Sequence, residues 1–89
     1  MENPRFHIRA FILEKFPLAK SRSMGDADNL LQSGLVDSLG ILDVVAFLEQ
    51  QFGFTVDDEE LIPENFESVD TLTKFTERKL SGVPTGERR

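Results

Sequence analysis

Three groups of side chains in this sequence have the types and spacing that could do chemistry: the adjacent Asp37 and Ser38, the carboxylates Asp26, Asp28 and Asp37, and the run Asp57-Asp58-Glu59-Glu60. A serine hydroxyl beside a carboxylate can serve as a nucleophile if a base is near, or as an acceptor for a group that another enzyme delivers. The only available imidazole is His7, so a small serine hydrolase would need Asp37, Ser38 and His7 together, plus an oxyanion hole. His7 lies among apolar residues of an N-terminal helical pattern, at an offset that turns it outward, and that helix is poorly placed to deliver it. The acidic groups fare no better as metal sites. With Asp26 as position one of an EF-hand loop, Asp28 and Asp37 fall at positions three and twelve, but Leu30 and Leu31 occupy positions five and six, where a ligand and a glycine are required. The run at 57–60 has no His or Cys among it, and consecutive carboxylates on a helical turn do not converge. The expectation is no metal, and a partner surface in place of a metal cluster.

Ser38 is placed by the element that follows it. Ile41, Val44, Val45, Leu48 and Phe52 recur at the spacing of one helix face, so a helix is expected from Ser38 to about Gln51, closed by Phe52-Gly53. Asp37 suits its N-cap, where a short carboxylate accepts from unpaired backbone N–H groups and complements the helix dipole. The serine hydroxyl then faces solvent from the first turn. A second apolar set, Leu39, Leu42 and Ala46, has helical spacing too but is rotated away from the core stripe, which predicts a face that meets a partner.

The segment Gly34-Leu35-Val36-Asp37-Ser38-Leu39 is similar to the G-x-x-D-S-L signature of acyl carrier proteins, the phosphopantetheine-attachment carriers. The resemblance continues through Glu49, Phe52, the 57–60 cluster and Pro63-Glu64-Asn65-Phe66, and covers roughly Phe6 to Leu80. It implies an all-α fold, a small four-helix bundle of three main helices and one short one with a long loop between the first two. It also implies that Ser38 carries 4′-phosphopantetheine covalently, from coenzyme A, with Asp37 helping to present it, and that the chain has no catalysis of its own. The implied partners are a phosphopantetheinyl transferase (holo carrier synthase), an acyl- or aminoacyl-loading ligase or transferase, and thioester-consuming enzymes with basic patches. Leu39, Leu42 and Ala46 would form the apolar contact, with Asp43, Glu49, Asp58 and Glu59 as an acidic rim. Gly40 departs from the fatty-acid members, which usually carry an acid there, and resembles D-alanyl carriers and specialised carriers served by adenylate-forming ligases. Acyl transport in fatty-acid, lipid or secondary-metabolite synthesis and aminoacyl transport therefore both stay open, as does an interaction subunit with Ser38 unmodified.

Composition narrows the classes. Eighty-nine residues make one small domain, without room for a buried catalytic cleft and a supporting layer. The absence of Cys excludes disulfides and thiolate metal sites. Arg5, His7, Arg9, Glu14 and Lys15 break the N-terminal apolar pattern, so no signal peptide or membrane span is expected and the cytoplasm is the expected compartment. The net charge is −6, and no Lys or Arg occurs between Arg22 and Lys74, an interval holding twelve Asp and Glu. That sign is wrong for a nucleic-acid binder and suits steering toward basic partners. Like-sign repulsion also favours a monomer.

The remaining elements follow from caps and periodicity. Asn3-Pro4 opens a first helix expected to run to about Phe16, with a stripe drawn from Phe6 or Ile8, Phe11 or Ile12, and Phe16, and with Pro17 stopping it. The connection from Leu18 to Val36 is pinned by Leu30, Leu31 and Leu35, with its portion from Ala19 to Ala27 expected to be mobile. Phe54-Thr55-Val56 is expected to pack as an extended bridge, and residues 57–60 to form a brief turn that Pro63 keeps short. Phe66 is an anchor, and Ser68 caps a last helix with Val69, Leu72, Phe75, Thr76 and Leu80 inside. The carrier domain is assigned to 1–81 and a disordered tail to 82–89.

Overall fold

Helix α1 spans Pro4–Lys15, begun by the Asn3 side chain, which accepts the Arg5 N–H, and by Pro4 in the first turn. The computed structural model describes residues 3–81, so the tail expected at 82–89 lies outside the described residues. Pro17 ends α1 but does not end helical structure: it opens a five-residue helix, α2 (Pro17–Ser21), with Phe16 extended between the two. A proline has no N–H to lose at a helix start, so the residue that stops one helix begins the next. Helix α3 is Ser38–Phe52, a 3₁₀ turn covers Asp58–Glu60, α4 is Pro63–Phe66 and α5 is Val69–Ser81. The fold is thus an all-helical bundle with three long helices and two short ones, and no strand occurs among the described residues.

The stripes read from periodicity meet in one core. Ile8 and Ile12 of α1, Val44 and Leu48 of α3, Phe66 of α4, and Val69, Leu72 and Phe75 of α5 are all buried. Phe6 and Leu80 are not: they stand 68% and 49% exposed, because Ile8 fills the place open to Phe6 and α5 has passed the end of the bundle at Leu80. The long connection is held more firmly than its composition suggests. Ala19, Met24, Leu30, Leu35 and Val36 are buried, the Leu30 N–H donates to the Glu67 carbonyl, and the Asp70 N–H donates to the Asp26 carbonyl. The stretch from Ala19 to Ala27, expected to be loose, thus contributes two core side chains and a strap to α5.

Charge reinforces that strap. Arg5 pairs with Asp26 at 3.0 Å and with Asp70, and Arg9 pairs with Asp26 at 2.8 Å. The Arg5 guanidinium is raised above its ordinary value by the hydrogen bond to Asp70 and then by that to Asp26, so it stays charged throughout the neutral range. Beyond α3, Gly53 takes the left-handed backbone (φ 76°) that closes the helix, and the Val56 N–H donates to the Glu49 carboxylate at 2.8 Å. Phe54 stacks on Phe52 and meets Phe75 edge-on, so Phe54-Thr55-Val56 packs as the expected extended bridge.

Candidate functional site

Asp37 is the N-cap of α3: its Oδ1 accepts the Gly40 N–H at 2.7 Å, and its carbonyl accepts the Ile41 N–H. Ser38 follows as the first helical residue and is exposed. Its hydroxyl therefore stands at the positive end of a fifteen-residue helix, a position where first-turn N–H groups and the dipole favour a phosphate. Local sequence chemistry suffices to build this arrangement, which is why it was legible without the fold.

The second apolar set lies outside as its phase requires. Leu39 is 75% exposed, Leu42 60%, and Ala46 is exposed too, while Val44 and Leu48 on the same helix are fully buried. Asp43 is exposed beside this face, with Lys15 at 4.0 Å, and Asp58 and Glu59 are exposed on the 3₁₀ turn. Glu49 is half-buried, its carboxylate engaged with Val56. Glu60 turns the other way and corrects the reading of 57–60 as one surface cluster. It is 6% exposed, closes a capping box with Asp57, and pairs with Lys79 of α5 at 2.9 Å. The turn thus has an inner and an outer side.

A shallow groove of about 210 Å³ begins at Ser38 and runs between Ile41, Leu31, Leu61, Ile62, Pro63 and Phe66. Leu61 and Ile62 went unremarked in the sequence, where the signal was an apolar pair between four acidic residues and a proline. The groove is mostly apolar and lies open beside the hydroxyl, which suits a long, thin organic group tethered at that oxygen.

Other assemblies weighed from the sequence do not form. His7 meets Phe6 and Phe52 edge-on instead of turning fully outward, and Phe52 is the last residue of α3, about 20 Å along the helix from Ser38. A Ser-His pair is out of reach. Asp26 is held by Arg5 and Arg9, Asp28 accepts the Gly25 N–H, and Asp37 caps α3, so the three carboxylates of the near-miss calcium loop face different tasks. No group of three His, Asp or Glu among the described residues could hold a metal ion.

Gly40 has a role that its sequence position did not disclose. It is buried, and a Cβ added there would lie 2.7 Å from Phe16 Cε1 and 3.1 Å from Val36 Cγ1. The ring of Phe16 occupies the space that a side chain would need. Close packing against Phe16 and Val36 accounts for a glycine at this position.

With this geometry in place, comparison with known proteins is direct. The family described as the phosphopantetheine attachment site matches residues 8–76, a span that includes Asp37, Ser38 and the groove. The chain is also similar to aminoacyl carrier protein 1 of Bradyrhizobium diazoefficiens, 36% identical over 58 residues, which cover 61% of this chain and 64% of that relative. The match therefore spans less than two thirds of the relative's length. No solved structure matches. Carriers of this kind hold 4′-phosphopantetheine covalently and leave catalysis to other proteins. The family's model matches well over half of the chain, with the capped serine and the groove inside the matched span, and the chain belongs to the phosphopantetheine attachment-site family of carrier proteins.

Proposed function

We propose that residues 1–81 form an acyl carrier domain in which Ser38 is the attachment point of 4′-phosphopantetheine and Asp37 presents it. The observation that carries this reading is the exposed Ser38 hydroxyl, one residue past a carboxylate already committed to the helix cap. Loading follows from simple chemistry. Ser38 Oγ attacks the phosphorus of coenzyme A that bears pantetheine, an O–P bond forms as the pyrophosphate P–O bond breaks, adenosine 3′,5′-bisphosphate leaves, and the hydroxyl proton passes to a base on the transferase. The arm then supplies a thiol on which acyl groups ride as thioesters. Leu39, Leu42 and Ala46 form the docking face, with Asp43, Asp58 and Glu59 around it steering basic partners in, and Glu49 bracing the far end of the helix. The partners are the transferase, a loading ligase or transferase, and the enzymes that consume the thioester. The work is done in the cytoplasm, where coenzyme A is available.

Acyl cargo for fatty-acid, lipid or secondary-metabolite synthesis is the first reading. The second is aminoacyl cargo loaded by an adenylate-forming ligase, and the name of the Bradyrhizobium relative, an aminoacyl carrier protein, supports the aminoacyl part of it. Intact-protein mass spectrometry after incubation with coenzyme A and a broad-specificity phosphopantetheinyl transferase tests the attachment. One phosphopantetheinyl addition is expected on the wild type and none on Ser38→Ala. A folded wild type that gains no mass overturns the carrier reading and leaves an unmodified interaction subunit. The mass of the thioester-bound cargo on protein isolated from cells then separates acyl from aminoacyl.

A further inference from the structure

Gly40 is gripped from two sides, and both grips act on the turn that carries Ser38. Its N–H is taken by Asp37 Oδ1 at 2.7 Å, and its bare Cα faces the Phe16 ring, whose Cε1 and Cζ lie 2.7 and 3.0 Å from where a Cβ would stand. Phe16 is itself fixed from several directions. It is the extended residue between α1 and α2, its N–H donates to the Ile12 carbonyl, its carbonyl accepts the Ala19 N–H, and its ring meets Phe11 edge-on. Phe11 in turn stacks on Phe47 of α3 at 4.2 Å between ring centres. A rigid ring on a rigid corner thus rests on the first turn of α3, two residues past the serine.

We infer that Phe16 is a positioning residue for Ser38: the fit of its ring against Gly40 fixes where the first turn of α3 holds the hydroxyl during phosphopantetheine transfer. The inference rests on Ser38 being the acceptor. Shortening Phe16 leaves a void beside Gly40 into which the turn can shift, and a side chain at position 40 pushes the ring and the turn apart. A displacement near 1 Å at a reacting oxygen costs on the order of ten- to a hundredfold in rate. Docking is assigned to the exposed Leu39, Leu42 and Ala46, whereas Gly40 is buried against Phe16, so the loss belongs in kcat and not in KM.

The test measures steady-state modification by a phosphopantetheinyl transferase for Phe16→Leu, Gly40→Ala and the double variant, with Phe54→Leu as control. Phe54→Leu also trims a half-buried ring packed on the core, but one whose ring contacts are Phe52 and Phe75. Each single variant at 16 or 40 is expected to lower kcat about tenfold with KM nearly unchanged, and the double variant to recover most of that loss, because the smaller side chain makes room for the alanine methyl. Phe54→Leu is expected to keep the wild-type kcat. Hydrogen exchange of the Gly40 amide, read by NMR on the unmodified proteins, is expected to quicken in Phe16→Leu and not in Phe54→Leu. Additive losses in the double variant, or equal losses of kcat in Phe16→Leu and Phe54→Leu, overturn the inference and reduce Phe16 to ordinary packing. If Gly40→Ala fails to fold, the kcat and amide comparison of Phe16→Leu with Phe54→Leu decides alone. A wild type that accepts no arm strikes the carrier reading, whereas a modified wild type with additive variants strikes only the role of Phe16.

Discussion

Glu60 is one of four consecutive acidic residues, and the only one of them that is buried. Its carboxylate accepts the Asp57 N–H at 2.9 Å and takes Lys79 Nζ at 2.9 and 3.2 Å, while its carbonyl accepts from the Asn65 side chain. Burying an ion pair gains little, but removing one partner leaves the other charge stranded. Lys79→Met is therefore expected to destabilise the fold by about 3 kcal/mol, and Glu60→Gln, which keeps an acceptor for Asp57, by about 1 kcal/mol, both read from urea unfolding. Equal and negligible losses would show that the pair is a surface ornament. The sequence could not single out Glu60, because which of four carboxylates turns inward depends on a lysine nineteen positions away. Asp37 and Ser38 were readable for the opposite reason: a cap and the residue after it are set within one turn of chain.

At the scale of elements, what positions α3 from outside is the strapped connection before it. Asp26 joins that connection to α1 through Arg5 and Arg9, and its carbonyl joins it to α5 through the Asp70 N–H. The side chains are about one-third exposed, so solvent screening leaves these pairs little net stabilisation. Asp26→Asn should thus barely change global stability. It should quicken hydrogen exchange at the Leu30 amide, which bonds to Glu67 on the same strap, while the amides of Val44 and Leu48 in α3 keep their protection. Uniform quickening across all three sites would mean that the strap opens only with the whole fold. The long helices were legible because periodicity and caps agree along each of them. Helix α2 was not, since five residues offer no period and a proline after Phe16 reads first as a stop.

For the molecule as a whole, the net charge of −6 is unevenly spread. Asp26, Glu60 and Asp70 are paired with arginine or lysine, whereas Asp58 and Glu59 remain exposed, and Asp43 is exposed with Lys15 at the 4.0 Å limit of an ion pair. Steering through such a field weakens once the screening length falls below the spacing of the charges. Raising ionic strength from about 0.05 to 0.5 M should slow kcat/KM for modification by roughly tenfold, chiefly through KM. An unchanged kcat/KM would remove steering from the account. Three contacts oppose rolling of the helix that a partner would meet. Glu49 holds Val56 from one side of α3, Phe11 stacks on Phe47 from another, and Phe16 presses on Gly40 at its head. The azimuth of Leu39 and Leu42 about the helix axis is thus set by the body of the protein. On the proposed docking face, each successive partner would be met by turning the entire carrier, like a key cut on one edge, and the tethered arm would supply whatever reach that rotation does not.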